Sequence, residues 1–175
     1  MSRFVPLIIV AALVALFLGM MLSDRNPNEI DSVLVGRDAP AFSLASLDDS
    51  APALTQADLK TGKPVLVNFF ASWCVPCRAE HESLMRLAGE FQVEVIGIAY
   101  KNEKYQAIGF LNELGNPFSK TGLDLDGRVG IDWGVSGVPE TFLIDGEGIV
   151  RYRHWGPIVG DSLETRLLPE LEALR

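Results

Sequence analysis

The chain has 175 residues, 48% of them hydrophobic, and carries 23 acidic against 15 basic side chains for a net charge of −8. A surface that acidic is a poor match for nucleic acid or anionic lipid headgroups; two cysteines are too few for a disulfide scaffold, and a closed four-ligand zinc site of Cys and His would need both cysteines and both histidines in the chain. The length suits one domain with a proper core beyond an apolar N-terminal run.

Phe4 to Leu22 holds no charge and approaches the roughly 20 residues that cross a bilayer as one helix. Arg3 precedes it and Ser23-Asp24-Arg25-Asn26 follows, with Glu29 and Asp31 close behind. The positive-inside rule then leaves the short end in the cytoplasm and exports the rest. A cleaved signal peptide is the competing reading. Its apolar region is usually shorter and ends in a small-x-small site, whereas this run ends Gly19-Met20-Met21-Leu22, which favours an uncleaved anchor over residues 1–23. Residues 24–35 read as a polar tether around Asn26-Pro27-Asn28, and the compact domain is expected over residues 36–175.

Within that domain strand-like and helix-like segments take turns. Ala41 to Leu44 reads as a strand, Thr55 to Leu59 as a short helix, Pro64 to Phe70 as an apolar strand, and Val75 to Phe91 as a helix with Leu84, Leu87, Ala88 and Phe91 at helical spacing. Val93 to Ala99 has the near-continuous apolar run of a buried parallel strand. Tyr105, Ile108, Leu111 and Leu114 form the next stripe, with Gly115 as a left-handed cap. Thr121 to Gly130, rich in Asp and Gly, is expected to be a loop, and Arg128 to Trp133 a short helix. Thr141 to Ile144 and Ile149 to His154 flank Asp145-Gly146-Glu147-Gly148 as a hairpin. Asp161 and Glu164 have the spacing of a capping box for a last helix, kinked at Pro169. A βαβ unit, a connecting helix, a hairpin and a closing helix predict an α/β fold of the thioredoxin-like order, a mixed sheet with helices on both faces.

The two cysteines lie in Trp73-Cys74-Val75-Pro76-Cys77, between the apolar strand and the helix. At such a junction the free amides of the first helical turn and the positive end of the macrodipole stabilise a thiolate, the attacking species in disulfide exchange. Cys74 is therefore the expected nucleophile and Cys77, one turn further in, the resolving thiol. A purely structural disulfide would close too short a loop to constrain the unfolded chain. Glu80, three residues after Cys77, shares its helical face and is a candidate to move a proton to or from that thiol. His81, four residues after Cys77, raises the alternative of a Cu(I) metallochaperone using Cys74, Cys77 and His81, although a surface histidine is the simpler account. A dithiol peroxidase is disfavoured because the segment before Cys74 lacks a Pro-x-x-x-Thr-x-x-Cys pattern.

Trp73 to Glu80, together with Trp133-Gly134-Val135-Ser136-Gly137-Val138-Pro139-Glu140-Thr141 and Asp145 to Ile149, resembles the CcmG/DsbE family of membrane-anchored cytochrome c biogenesis thioredoxins, over roughly Gly36 to Leu174. The resemblance implies a thiol:disulfide oxidoreductase anchored by a single pass in the bacterial inner membrane, with its catalytic domain in the periplasm. It would reduce apocytochrome c or a thiol protein of the maturation pathway and draw electrons from a membrane thiol reductase of the DsbD or CcdA type. No cofactor and no metal is implied. A general reductant or oxidant of exported proteins is the runner-up. The resemblance also implies a cis Val138–Pro139 bond that turns the Val138 backbone toward Cys74, where an extended substrate can pair with it. Trp73, Val75, Pro76 and Val138 are the candidate substrate contacts, and Glu140 a tentative second acid. Ordinary thioredoxins carry a buried acid on the strand before the cysteines; Asn68 stands there instead, which leaves Glu80 to replace it.

Overall fold

The computed structural model describes residues 4–21 and 32–175. The N-terminal unit is one helix, α1 (Val5–Met21), of 17 uncharged residues. Among the described residues no helix is long and apolar enough to cross a membrane. The end of the expected span at Leu22 and most of the expected tether, residues 24–31, lie outside the described residues. Residues 32–35 already belong to the folded domain: Val35 N donates to Ser32 O at 3.1 Å, Gly36 N donates to Val150 O at 2.8 Å, and Leu34 packs on the core.

The domain is organised around β3 (Val65–Phe70), all six of whose residues are buried. It pairs in parallel with β4 (Glu94–Tyr100) and antiparallel with β6 (Glu140–Ile144). β5 (Lys120–Asp124) and β7 (Val150–Trp155) complete a mixed sheet of order β5-β4-β3-β6-β7. Because successive side chains point to opposite faces, β3 serves two cores. Leu66 and Phe70 join the helices α2 (Val75–Gly89), α3 (Lys104–Leu114) and α5 (Leu168–Glu172) on one face. Val65, Val67 and Phe69 join Trp133 and Phe142 on the other. That second face is closed by α4 (Arg128–Asp132) and by a two-stranded ribbon, β1 (Ser43–Leu44) with β2 (Leu54–Thr55). The expected thioredoxin-like α/β fold is what forms. Asn68, between Leu66 and Phe70 in the alternation, is turned toward α2.

Local expectations are corrected at several points. The Asp- and Gly-rich stretch after Thr121 begins as strand β5: Gly122 lets Leu44 and Leu54 of the ribbon approach so closely that an added Cβ would meet them at 2.9–3.0 Å. Asp124, within that stretch, is buried and receives hydrogen bonds from Val129 N and Gly130 N at 3.1 and 2.8 Å, holding the start of α4. Of the expected α3 stripe Leu111 is buried and Ile108 and Leu114 pack against the core, but Tyr105 is exposed and Ala107 and Phe110 are buried beside them; Gly115 takes φ 94° with ψ 166°, a positive-φ extended conformation in place of the left-handed cap. The expected capping box at Asp161 is not formed: Glu164 pairs with Arg86, and the last helix opens with a wide π-type turn, Leu163–Leu167. Pro169 then sits in the first turn of α5, where its missing N–H removes no helical bond.

Gly97 of β4 lies beside Asn68 in register, and a Cβ there would meet the Phe118 ring at 2.6 Å. Phe118 stacks on Phe70 at 4.9 Å, so the ring cannot retreat without disturbing the strand that leads to the cysteines. Gly97→Ala should lower stability to urea by about 1–3 kcal/mol through overpacking. Gly109→Ala in α3, with nothing within 4 Å of the added Cβ, should be neutral or raise it by up to about 1 kcal/mol.

Candidate active site

Cys74 ends the turn after β3 and caps α2 with φ −88° and ψ 108°. Cys77 N donates to Cys74 Sγ at 3.0 Å, so one of the free amides of the helix start is already aimed at the sulfur. Pro76 occupies the first turn, where no N–H is needed. The preceding turn is pinned from outside: Ser72 N donates to Asn102 Oδ1 at 2.7 Å and Trp73 Nε1 to Lys101 O at 3.0 Å. The two sulfurs are joined as a disulfide, which makes this the oxidised state. Cys74 and Cys77 are 4% and 2% exposed, so accessibility hardly separates them; the cap position of Cys74 does. Trp73, Val75 and Pro76 form the exposed rim around them.

The Val138–Pro139 bond is cis, and Val138 O lies 3.4 Å from Cys74 Sγ. In the reduced state a Cys74 thiol at this distance can donate to that carbonyl. The loop that carries it is fastened by Glu140. Arg153 donates to both carboxylate oxygens, from Nη2 at 2.7 Å and Nε at 3.1 Å, and Ser136 adds its N–H at 3.0 Å and its hydroxyl at 2.6 Å. Trp155 Nε1 donates to the same Ser136 hydroxyl at 3.1 Å. Glu140 is wholly buried and pairs in register with Phe69 and Trp155, on the sheet face opposite α2. The expectation of a second proton-carrying acid is corrected accordingly: a carboxylate held by a bidentate arginine on the far face is a brace for the Ser136–Pro139 loop.

Glu80 is placed quite differently. It is fully buried on α2, its Oε1 accepting from Asn68 Nδ2 at 2.9 Å and its Oε2 from Ile158 N at 2.9 Å. Burial raises its pKa from the ordinary 4.5 to about 7, against the opposing pull of the Ile158 and Asn68 donors. Cys77 and Glu80 both lie on the buried face of α2. Asn68 Nδ2 also donates to Thr141 Oγ1 at 3.0 Å, a partner signalled in the sequence only by strand alternation. Ile158 enters through its backbone and Arg153 through an unremarkable charged strand position, so neither carried a side-chain signature.

His81 does not join the dithiol. Its Nε2 meets Gly115 O at 3.0 Å and its ring packs edge-on against Phe110 at 5.3 Å, and burial lowers its pKa. The Gly115 carbonyl and the Phe110 ring hold the imidazole toward α3, which is the physical reason the three-ligand copper reading fails; among the described residues no group of three His, Cys, Asp or Glu is placed to hold a metal.

A thioredoxin-like sheet, a cysteine pair capping the first helix and a cis proline loop against it define a dithiol–disulfide exchange protein. Residues 34–167 match the Redoxin family. Thiol:disulfide interchange protein DsbE of Escherichia coli is 46% identical over 94% of this chain and 90% of its own length. HelX of Rhodobacter capsulatus, also a thiol:disulfide interchange protein, is 43% identical over 96% and 94%. A secreted Mycobacterium tuberculosis disulfide oxidoreductase homologous to E. coli DsbE superposes with a TM-score of 0.63 at 25% identity, over 76% of this chain and 96% of that one. The chain belongs to the Redoxin family, among its DsbE-type thiol:disulfide interchange proteins, and it is a thiol:disulfide oxidoreductase.

A carboxyl whose pKa is higher in the folded state loses stability for the fold as pH rises, because the unfolded chain gives up its proton first. Stability should fall by roughly 3 kcal/mol between about pH 4.5 and 7 on account of Glu80. Urea melts of oxidised protein across that range should show the decline, and Glu80→Gln should flatten it; an equal slope in the variant would show that Glu80 is not the group responsible.

Proposed function

We propose that the chain is an exported reductant of cytochrome c maturation, held at the bacterial inner membrane by its apolar N-terminal helix, with the dithiol domain in the periplasm. The uncharged Phe4–Leu22 run with its charge asymmetry supports the anchor, and the likeness to DsbE and HelX over nearly the whole chain supports the pathway. The observation that carries the chemistry is the Cys74 sulfur at the cap of α2, receiving the Cys77 amide and facing the Val138 carbonyl.

In the reduced protein the Cys74 thiolate attacks one sulfur of a substrate disulfide. That S–S bond breaks, the distal substrate sulfur leaves as thiolate, and a mixed disulfide joins substrate to Cys74. An extended substrate segment lies against Val138, between Trp73, Val75 and Pro76. Cys77 then gives up its proton and attacks Cys74, releasing the second substrate thiol and leaving the Cys74–Cys77 disulfide seen here. Two electrons have passed from the dithiol to the substrate, apocytochrome c or a thiol protein of its assembly. A membrane thiol reductase of the DsbD or CcdA type returns them. Glu80 accepts the Cys77 proton and returns it on re-reduction, a task that suits a carboxyl whose pKa is raised by burial to about 7. As a buried negative charge it also keeps the unreacted Cys77 protonated until it is needed.

Cys77→Ser should stall the cycle at the mixed disulfide. In the native host, non-reducing gels and mass spectrometry of the trapped adducts should recover apocytochrome c or a maturation thiol protein on Cys74. A spread of unrelated exported proteins would instead identify a general reductant.

A further inference from the structure

The Glu80 carboxyl is met by two donors of different kinds. Ile158 offers a backbone N–H, which can only donate. Asn68 offers the amide end of a side chain whose other end, of almost the same shape, is an acceptor. When Glu80 takes up a proton on Oε1, the Asn68 N–H that served the carboxylate faces an O–H, and two hydrogens oppose each other. A half-turn of the Asn68 amide removes the conflict by presenting Oδ1 to the new donor.

The surroundings permit that half-turn. Thr141 Oγ1 now accepts from Asn68 Nδ2; a hydroxyl both accepts and donates, so it can turn its hydrogen to a carbonyl oxygen in the same place. On its far side Asn68 Oδ1 is buried with no hydrogen-bond partner; after rotation the NH₂ group would lie there with its donors unpaired, a cost that removing the clash with the protonated carboxyl and the new bonds to Oδ1 must offset. No third bond therefore ties the amide to one orientation. An aspartate here would set two carboxyls against each other, and an apolar residue would serve neither form of Glu80.

We propose that Asn68 is a two-way positioning residue: its amide donates to Glu80 while the carboxyl is ionised and rotates to accept from it, with Thr141 reversing its hydroxyl, when the carboxyl is protonated. This rests on the reading of Glu80 as the proton carrier and adds what lets it carry a proton in a dry site, a neighbour that solvates both of its forms. The proton can arrive and leave without any backbone movement. The other titratable groups around the site are Cys77 and Cys74 on α2, and on β7 His154, in register with Thr141, with Tyr152 two residues before it on the same face. β4 contributes only Gly97 beside Asn68, the segment after β7 contributes the Ile158 backbone, and Arg153 and Glu140 lie on the opposite face of the sheet.

The test is a pH titration by NMR of the oxidised full-length protein in detergent micelles, in which the disulfide keeps both cysteines from titrating. The side-chain carbon of Glu80 reports its protonation, and nuclear Overhauser contacts between the Asn68 NH₂ protons and Thr141 report the amide orientation. Those contacts should be present above the Glu80 midpoint, disappear below it, and follow the same midpoint; in Glu80→Gln they should no longer change with pH. If Glu80 titrates while the contacts stay the same throughout, Asn68 is a fixed donor and this inference fails, with the Glu80 relay intact. If the Glu80 carbon shows no titration between about pH 5 and 9, the relay itself fails and the inference with it.

Discussion

One buried carboxyl ties the working parts together. Glu80 reaches from α2 to Asn68 on the strand before the cysteines and to the Ile158 backbone in the segment after β7. It therefore fixes helix, sheet and C-terminal segment around the dithiol in a single set of hydrogen bonds. A charge without partners in that position would be very unfavourable. With two donors it is tolerated, and its affinity for a proton is pushed into the range where thiol chemistry needs a carrier.

The second acid, Glu140, shows how the same residue type is put to another use by the opposite face of the sheet. Arg153 and Ser136 hold its two oxygens, and through Ser136 it braces the loop that presents Val138 to Cys74. The Val138 loop is thus stiffened by an ion pair with side chains 10% and 0% exposed, while Glu80 is held by neutral donors. Losing one partner of a buried ion pair is far more disruptive than losing a surface one, so the loop geometry depends on Arg153 too.

Most of the order of elements, the apolar β3 and the place of Cys74 at a strand-to-helix junction were legible in the chain, because each is a local matter of apolar period and punctuation. So was the nearness of Glu80 to Cys77, three residues apart on one helix. What escaped reading depends on contacts between distant segments. β5 looks like a loop because its glycine is there to admit Leu44 and Leu54, not to make a turn. The α3 stripe was read without Phe110 because that ring is buried against Phe70 and His81, neither of them near it in sequence. Glu140 looked catalytic by its place after the proline, since nothing in the motif announces Arg153 on the next strand. His81 read as a surface histidine, with a ligand role as the alternative, and is buried instead because α3 supplies Gly115 and Phe110 as its partners.

What the proposed function turns on is the direction of electron flow, with Cys74 proposed as the attacking thiolate and Glu80 as the group that takes the Cys77 proton and returns it. The reduction potential of Cys74–Cys77, found by equilibrating the protein against a dithiothreitol or glutathione series, measures that balance directly. A value well below about −200 mV, toward the thioredoxin end of the scale, is what a reductant fed by a membrane donor requires. A value near about −120 mV would make the protein a disulfide donor and contradict the direction assigned to it.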